Sequence, residues 1–232
     1  MLLLLLASPP PAVAASVPSG RPDGEGHVTG YVTLQGHRFA LPGGIWTFVT
    51  GQRPDDGDMF RVFLGREQGG RLTGILELKD TGSLPRTAGS SGPALVCTAN
   101  AIGVELYSPR IPTIDDHDCV RRDVDSGAEA ATSRDPLVQD FVGQIRTRGR
   151  RMPTTEFFVE VSVRDTRRRL DARFWFDTAD AGFAGQSVAA WTPDSIRRDP
   201  AKVSYDRRLT AWGASWRGML LSETLGPLAA RP

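Results

Sequence analysis

The sequence predicts an α+β fold: a mainly antiparallel sheet built from hairpins, with two principal helices over about 135–148 and 200–224 packed on it. Three observations carry this expectation. Two pairs of period-two runs flank short turns, and two proline-led segments repeat apolar residues at helical spacing. No strand–helix–strand alternation runs through the chain, as a parallel sheet would require.

The elements follow in chain order. Leu2 to Leu6 form a leucine run, followed by Ala12-Val13-Ala14, the short apolar core and A-x-A spacing that signal peptidase reads. Residues 1–14 are therefore expected to be a signal peptide, cut after Ala14. The run is far shorter than the roughly 20 residues that cross a bilayer, so no transmembrane anchor is expected. Residues 15–27, rich in Pro, Gly and Ser, read as a flexible lead-in, and 28–232 as one globular domain. Val28, Val32 and Leu34 share one face of a half-buried strand, and Pro42-Gly43-Gly44 makes a turn. Ile45 to Val49 is apolar on both faces, as in a covered strand.

Met59 to Leu64 and Leu72 to Leu78 form the first hairpin, joined through Glu67-Gln68-Gly69-Gly70. In the second, Phe157, Val159, Val161 and Val163 alternate with Phe158, Glu160, Ser162 and Arg164. After a turn at 166–168, Leu170, Ala172, Phe174 and Phe176 face one way, and Asp171, Arg173, Trp175 and Asp177 the other.

Asp135-Pro136 places a capping carboxylate before a proline at the first helical position, where its missing N–H costs nothing. Val138, Phe141, Val142 and Ile145 repeat at helical spacing up to Gly149. Thr192-Pro193 opens a shorter turn, and Asp199-Pro200 opens the last helix. Its stripe is Tyr205, Leu209, Trp212, Trp216, Met219 and Leu220, with a bend expected from Gly213 and Gly218. Between 81 and 134 the periodicity fails, and an irregular segment is expected, tethered by a Cys97–Cys119 disulfide. An even cysteine count suits an oxidising compartment, and this loop closure would contribute about 3 kcal/mol.

Composition narrows the function. With 40% hydrophobic and 24% charged residues the chain has the balance of a soluble globular protein, and a net charge of +1 gives little steering toward nucleic acid. Lys79 and Lys202 are the only lysines, so the basic residues are nearly all arginine, the bias of a GC-rich bacterial genome.

The densest polar cluster is Asp115-Asp116-His117-Asp118, whose donor types suit a divalent cation. Four adjacent residues cannot all point at one ion, and no second motif completes the set; a solvated loop is the default reading. Gly185-Gln186-Ser187-Val188-Ala189 has the outline of a nucleophile elbow, but that motif needs a later histidine and the last one is His117. No carboxylate pair stands out, and no cofactor is expected. Arg146, Arg148, Arg150 and Arg151, with Arg167, Arg168 and Arg169 in the second hairpin turn, could form one patch for phosphate or other anionic groups. The expectation is a periplasmic or secreted binding or structural domain, non-catalytic, whose partner is an anionic component of the bacterial cell envelope. The alternative is a periplasmic hydrolase or metal-dependent enzyme using Asp115, Asp116, His117 or Asp118.

Overall fold

Two consecutive glycines in the left-handed region, Gly69 (φ 57°) and Gly70 (φ 77°), close the first hairpin, as a two-residue turn matched to strand twist requires. They join β6 (Phe60–Gln68) to β7 (Arg71–Asp80). The second hairpin is β10 (Thr155–Arg164) with β11 (Arg169–Asp177). These strands form the middle of a sheet in the computed structural model, which describes residues 15–16, 26–34, 37–52, 60–80, 101–107, 118–164 and 169–223.

The other strands are β1 (Ala15–Ser16), β2 (His27–Val28), β3 (Tyr31–Leu34), β4 (His37–Ala40), β5 (Trp46–Gln52), β8 (Gly103–Tyr107) and β9 (Asp118–Ser126). Eight of them form one antiparallel sheet in the order β2-β5-β6-β7-β11-β10-β9-β8, so the return strands of the two hairpins are neighbours. A smaller sheet has the order β1-β3-β4. The helices are α1 (Gly127–Thr132), α2 (Pro136–Thr147), α3 (Pro193–Arg198) and α4 (Pro200–Glu223). The class is α+β, with α2 and α4 as the principal helices.

Each face of the large sheet has its own cover. On one, Tyr205, Leu209, Trp216 and Leu220 of α4 pack on Val62, Leu76, Val120, Val159 and Phe174. The tryptophan stripe is therefore core, except for Met219, expected in it but 40% exposed. Trp212 and Trp216 stack at 5.7 Å, and both meet Phe174 edge-on at 4.9 Å. Gly213 serves close approach: a Cβ there would lie 2.6 Å from Val120 Cγ1 and 2.9 Å from Val159 Cγ1. On the other face, Leu137, Phe141, Val142 and Ile145 of α2 pack on Val49, Phe63, Leu72 and Ile75. Asp135 caps α2 by accepting from the Leu137 and Val138 N–H groups.

Two expectations need correction. The stretch 81–134, expected to be irregular, supplies β8, β9 and α1. Asp118-Cys119-Val120-Arg121-Arg122-Asp123-Val124 does alternate, but charged residues occupy both faces of β9, and the apolar signature of a strand is lost. The lead-in 15–27 also contributes strand residues, since β1 pairs parallel with β3, and His27 pairs with Thr47.

Candidate functional site

Cross-strand register places the residues of the α2 face in rows. Asp125, Glu156 and Asp177 face one another across β9, β10 and β11. Two residues further along each strand the row is Asp123, Phe158, Trp175 and Ile75. The next is Arg121, Glu160, Arg173, Glu77 and Phe63, a ladder of alternating charge ending on an aromatic ring. An acidic row, an aromatic row and an ion-pair row thus stand side by side under α1 and α2.

The ion-pair row is mostly paired within itself, although Arg121 Nε and Arg173 Nε are buried without a hydrogen-bond partner. Arg173 Nη2 donates to both carboxylate oxygens of Glu160, at 2.9 and 3.0 Å, and Arg121 Nη1 donates to Glu160 at 3.4 Å. Arg61 of β6 reaches both Glu77 and the capping Asp135. Burial opposes the charge of Arg173, but Glu160 and Glu77 outweigh it and hold the guanidinium above its ordinary pKa. The same balance, with Glu77 and Asp135 as the anions, raises Arg61. Both guanidiniums of Arg121 and Arg173 sit 5.0 Å from the Phe158 ring centroid, and Arg173 lies 5.3 Å from that of Trp175.

Glu156 differs. It is 2% exposed, and its Oε1 is buried without a hydrogen-bond partner. Burial first, then the charges of Asp125 and Asp177, push its carboxyl up to about 8, so it is protonated at neutral pH. It lines a cavity of about 200 Å³ between the sheet and α1–α2, with Asp125, Trp175, Phe63 and Phe141 among the other walls. Trp175 Nε1 donates to Asp125 at 2.9 Å, which orients the indole against the cavity.

A second hollow of about 430 Å³ includes Arg71, Arg151, Thr155, Asp177 and Gln186 in its lining. Arg71 pairs there with Asp177 at 2.8 Å and the Thr155 hydroxyl donates to the Gln186 backbone carbonyl at 2.6 Å, which leaves the neutral amide oxygen Oε1 of Gln186 buried without a partner. The smaller cavity holds the uncommitted buried acid and is the stronger candidate. Comparison with protein-family models, curated proteins and solved structures finds no match.

The residues singled out from sequence fall elsewhere. Asp115, Asp116 and His117 lie outside the described residues. Asp118 is buried at the start of β9, on the α4 face, where it accepts from Arg217 Nη2 at 2.7 Å. Among the described residues no group of three or more His, Cys, Asp or Glu side chains is placed to hold a metal ion. Cys119 is fully buried and is not a free thiol, while Cys97 lies outside the described residues. In the first arginine cluster, Arg150 Nε pairs with Glu67 at 2.7 Å and Arg148 Nη2 donates to the Phe48 carbonyl at 3.4 Å, both reaching back to the sheet. Arg146 and Arg151 are exposed. Arg167, Arg168 and the side chain of Arg169 lie outside the described residues. Ser187 precedes a 3₁₀ turn (Val188–Trp191) instead of the helix that a nucleophile elbow needs.

Glu156, Asp125 and Trp175 were not expected as a site. Their signal was present in part: the second hairpin places Glu160, Arg173 and Trp175 on the face opposite its apolar residues, a face too aromatic and charge-matched for plain solvent.

Proposed function

We propose that this protein is an exported bacterial binding domain that acts at the cell envelope without turnover, holding a small ligand in the cavity under α1 and α2. The observation that carries this reading is Glu156, a buried acid with an open hydrogen-bonding position on an aromatic floor. Around it Glu160, Arg173, Arg61 and Glu77 are already bonded to one another. A few convergent polar groups in a largely apolar concavity are the usual make-up of a ligand site. Export is supported by the leucine-led leader and by the paired cysteine count. No helix among the described residues is long and apolar enough to cross a membrane.

The test of the placement is chemical. N-terminal sequencing of protein from its native cell should begin at Ala15, and non-reducing mass spectrometry should show two hydrogens lost to a Cys97–Cys119 bond. A cytosolic form that keeps Met1, with both thiols alkylated by iodoacetamide, overturns it. The arginines Arg146, Arg151, Arg167, Arg168 and Arg169 carry the proposed anionic envelope contact. Retention on anionic vesicles at low salt, lost at high salt, supports that contact, and no retention at low salt removes it.

One observation favours a second reading. A carboxyl raised to about 8 beside Asp125 is the arrangement of a general acid paired with a base. Turnover of an envelope glycan or ester that is lost in Glu156→Gln would establish a hydrolase. The metal-dependent alternative at Asp115, Asp116 and His117 predicts a melting temperature that falls on adding EDTA.

A further inference from the structure

We propose that the cavity under α1 and α2 binds a small organic ammonium ion, with its charged head against Glu156 and Asp125 and its carbon groups against Trp175 and Phe141. This deepens the binding reading above and rests on it.

The charge balance around the cavity selects a cation. Its lining carries Glu77 from β7, Asp125 from β9, Glu129 from α1 and Glu156 from β10, against Arg61 from β6 and Arg173 from β11. Both arginines are charge-paired, Arg61 with Glu77 and Asp135, and Arg173 with Glu160, although Arg173 Nε keeps no hydrogen-bond partner. What remains is acidic: Glu156, Asp125 and the exposed Glu129 at the rim. From the far side of Glu156, Asp177 adds negative charge, partly offset by Arg71 at 2.8 Å. An anion entering here would meet carboxylates, whereas a cation answers the unpartnered Oε1 of Glu156 and relieves the repulsion between that group and its neighbours.

The aromatic floor adds a second preference. Phe63 and Phe141 stack at 4.9 Å and Trp175 lies 6.5 Å from Phe63, so ring surface stands beside the acid. Carboxylate next to aromatic faces is the pairing that recognises alkylammonium groups. At about 200 Å³ the space is below the roughly 300–1,000 Å³ of sites for drug-sized ligands, which restricts the guest to a small amine.

Binding has a proton to release. At pH 7 the Glu156 carboxyl is protonated, and it must ionise to pair with the ligand. For choline, whose charge is fixed, the affinity should therefore rise about tenfold between pH 6 and pH 7 and level off above pH 8.

The experiment is an NMR titration of the whole mature chain, following the Trp175 indole N–H, assigned with Trp175→Phe. This proton is held by Asp125, so a cation there must move it. The probes are choline and its uncharged isostere 3,3-dimethylbutan-1-ol, at pH 6, 7 and 8. The expected result is saturable choline binding with the stated pH dependence, at least tenfold weaker binding of the alcohol, and a Glu156→Gln variant with at least tenfold weaker, pH-independent choline binding. If Glu156→Gln fails to fold by near-ultraviolet circular dichroism, Asp125→Asn takes its place, with at least fivefold weaker binding expected. Equal binding of the alcohol and choline overturns the ammonium assignment and leaves the cavity as a ligand site. Indifference of the Trp175 signal to both probes at every pH overturns the assignment and the binding reading together. Choline affinity unchanged in the acid variant overturns the role of Glu156.

Discussion

On the α4 side of the large sheet, β10 contributes Phe157, Val159, Val161 and Val163, each fully buried among carbon. On the α2 side the same strand contributes Glu156, Phe158, Glu160 and Ser162, all 5% exposed or less but set among charges. Equal burial has opposite energetic meaning on the two sides. The α4 face gains roughly 25 cal/mol for each Å² of apolar surface removed from water. The α2 face must offset desolvated charge with ion pairs and hydrogen bonds, and that compensation is incomplete at Glu156 Oε1, Arg121 Nε and Arg173 Nε. One face is stabilised mainly by apolar packing, and the other sets a smaller apolar cluster beside buried charge that is only partly compensated.

The largest test of this contrast is Trp216→Ala. Trp216 is fully buried between α4 and the sheet, against Phe174 and Trp212. Truncation should cost about 4 kcal/mol in urea unfolding, with choline affinity unchanged after correction for the folded fraction. A loss under 1 kcal/mol would show that the α4 face is not the stabilising one.

On the opposite face, Arg173→Met should cost about 3 kcal/mol for a different reason: it leaves Glu160 buried with only the longer 3.4 Å contact to Arg121. The double variant Arg173→Met/Glu160→Gln should recover at least half of that loss, because the abandoned charge goes too. A double variant as unstable as the single would mean that lost packing, and not an orphaned carboxylate, sets the cost.

Glu156→Gln comes next, and its effect depends on pH. The folded carboxyl titrates near 8 against an ordinary 4.5, so the unfolded chain ionises first and wild-type stability falls as pH rises through the window between them. From pH 6 to pH 8 this group alone removes about 2 kcal/mol, a slope that Glu156→Gln should abolish. Denaturation midpoints at the two pH values, compared between wild type and variant, measure it. Parallel slopes would place the Glu156 carboxyl in the ordinary range.

The two faces were unequally legible in the sequence. The α4 face could be read because its code is simple: alternating Val and Phe in the second hairpin, and a helical stripe from Tyr205 to Leu220. The helix starts at Asp135-Pro136 and Asp199-Pro200 were legible for the same local reason, a cap followed by a proline. The α2 face was not, because its parts come from strands far apart in the chain. Glu156 meets Asp125 and Asp177 only through a register that no single segment carries. Asp123 and Arg121, read locally, belong to a solvated loop. Arg121 pairs with Asp123 on its own strand and with Glu160 on the next, and Glu160 pairs in turn with Arg173, which makes that stretch part of a charged ladder across the sheet. The charges of the acidic run before Cys119 are adjacent in sequence, whereas the cavity's charges are adjacent only in space.

The smallest effect separates capping from ion pairing at one residue. Asp135 accepts from two N–H groups at the start of α2 and also pairs with Arg61, whose other partner is Glu77 on the cavity wall. Asp135→Ala should cost about 1 kcal/mol, the usual value of an N-cap. Asp135→Ser keeps a capping oxygen and should recover most of that, since a pair left 35% exposed on the Asp135 side adds little once solvent screens it. The pH dependence runs opposite to that of Glu156. Burial works against the Asp135 carboxylate, but Arg61 and the helix N–H groups outweigh it and hold its pKa below the ordinary value. Its contribution is therefore present at neutral pH and lost as pH falls through the carboxylate range. Acid unfolding of Asp135→Ser should be shallower than that of wild type in that range. Identical acid limbs would mean that neither Arg61 nor the helix N–H groups hold the Asp135 carboxyl below its ordinary range.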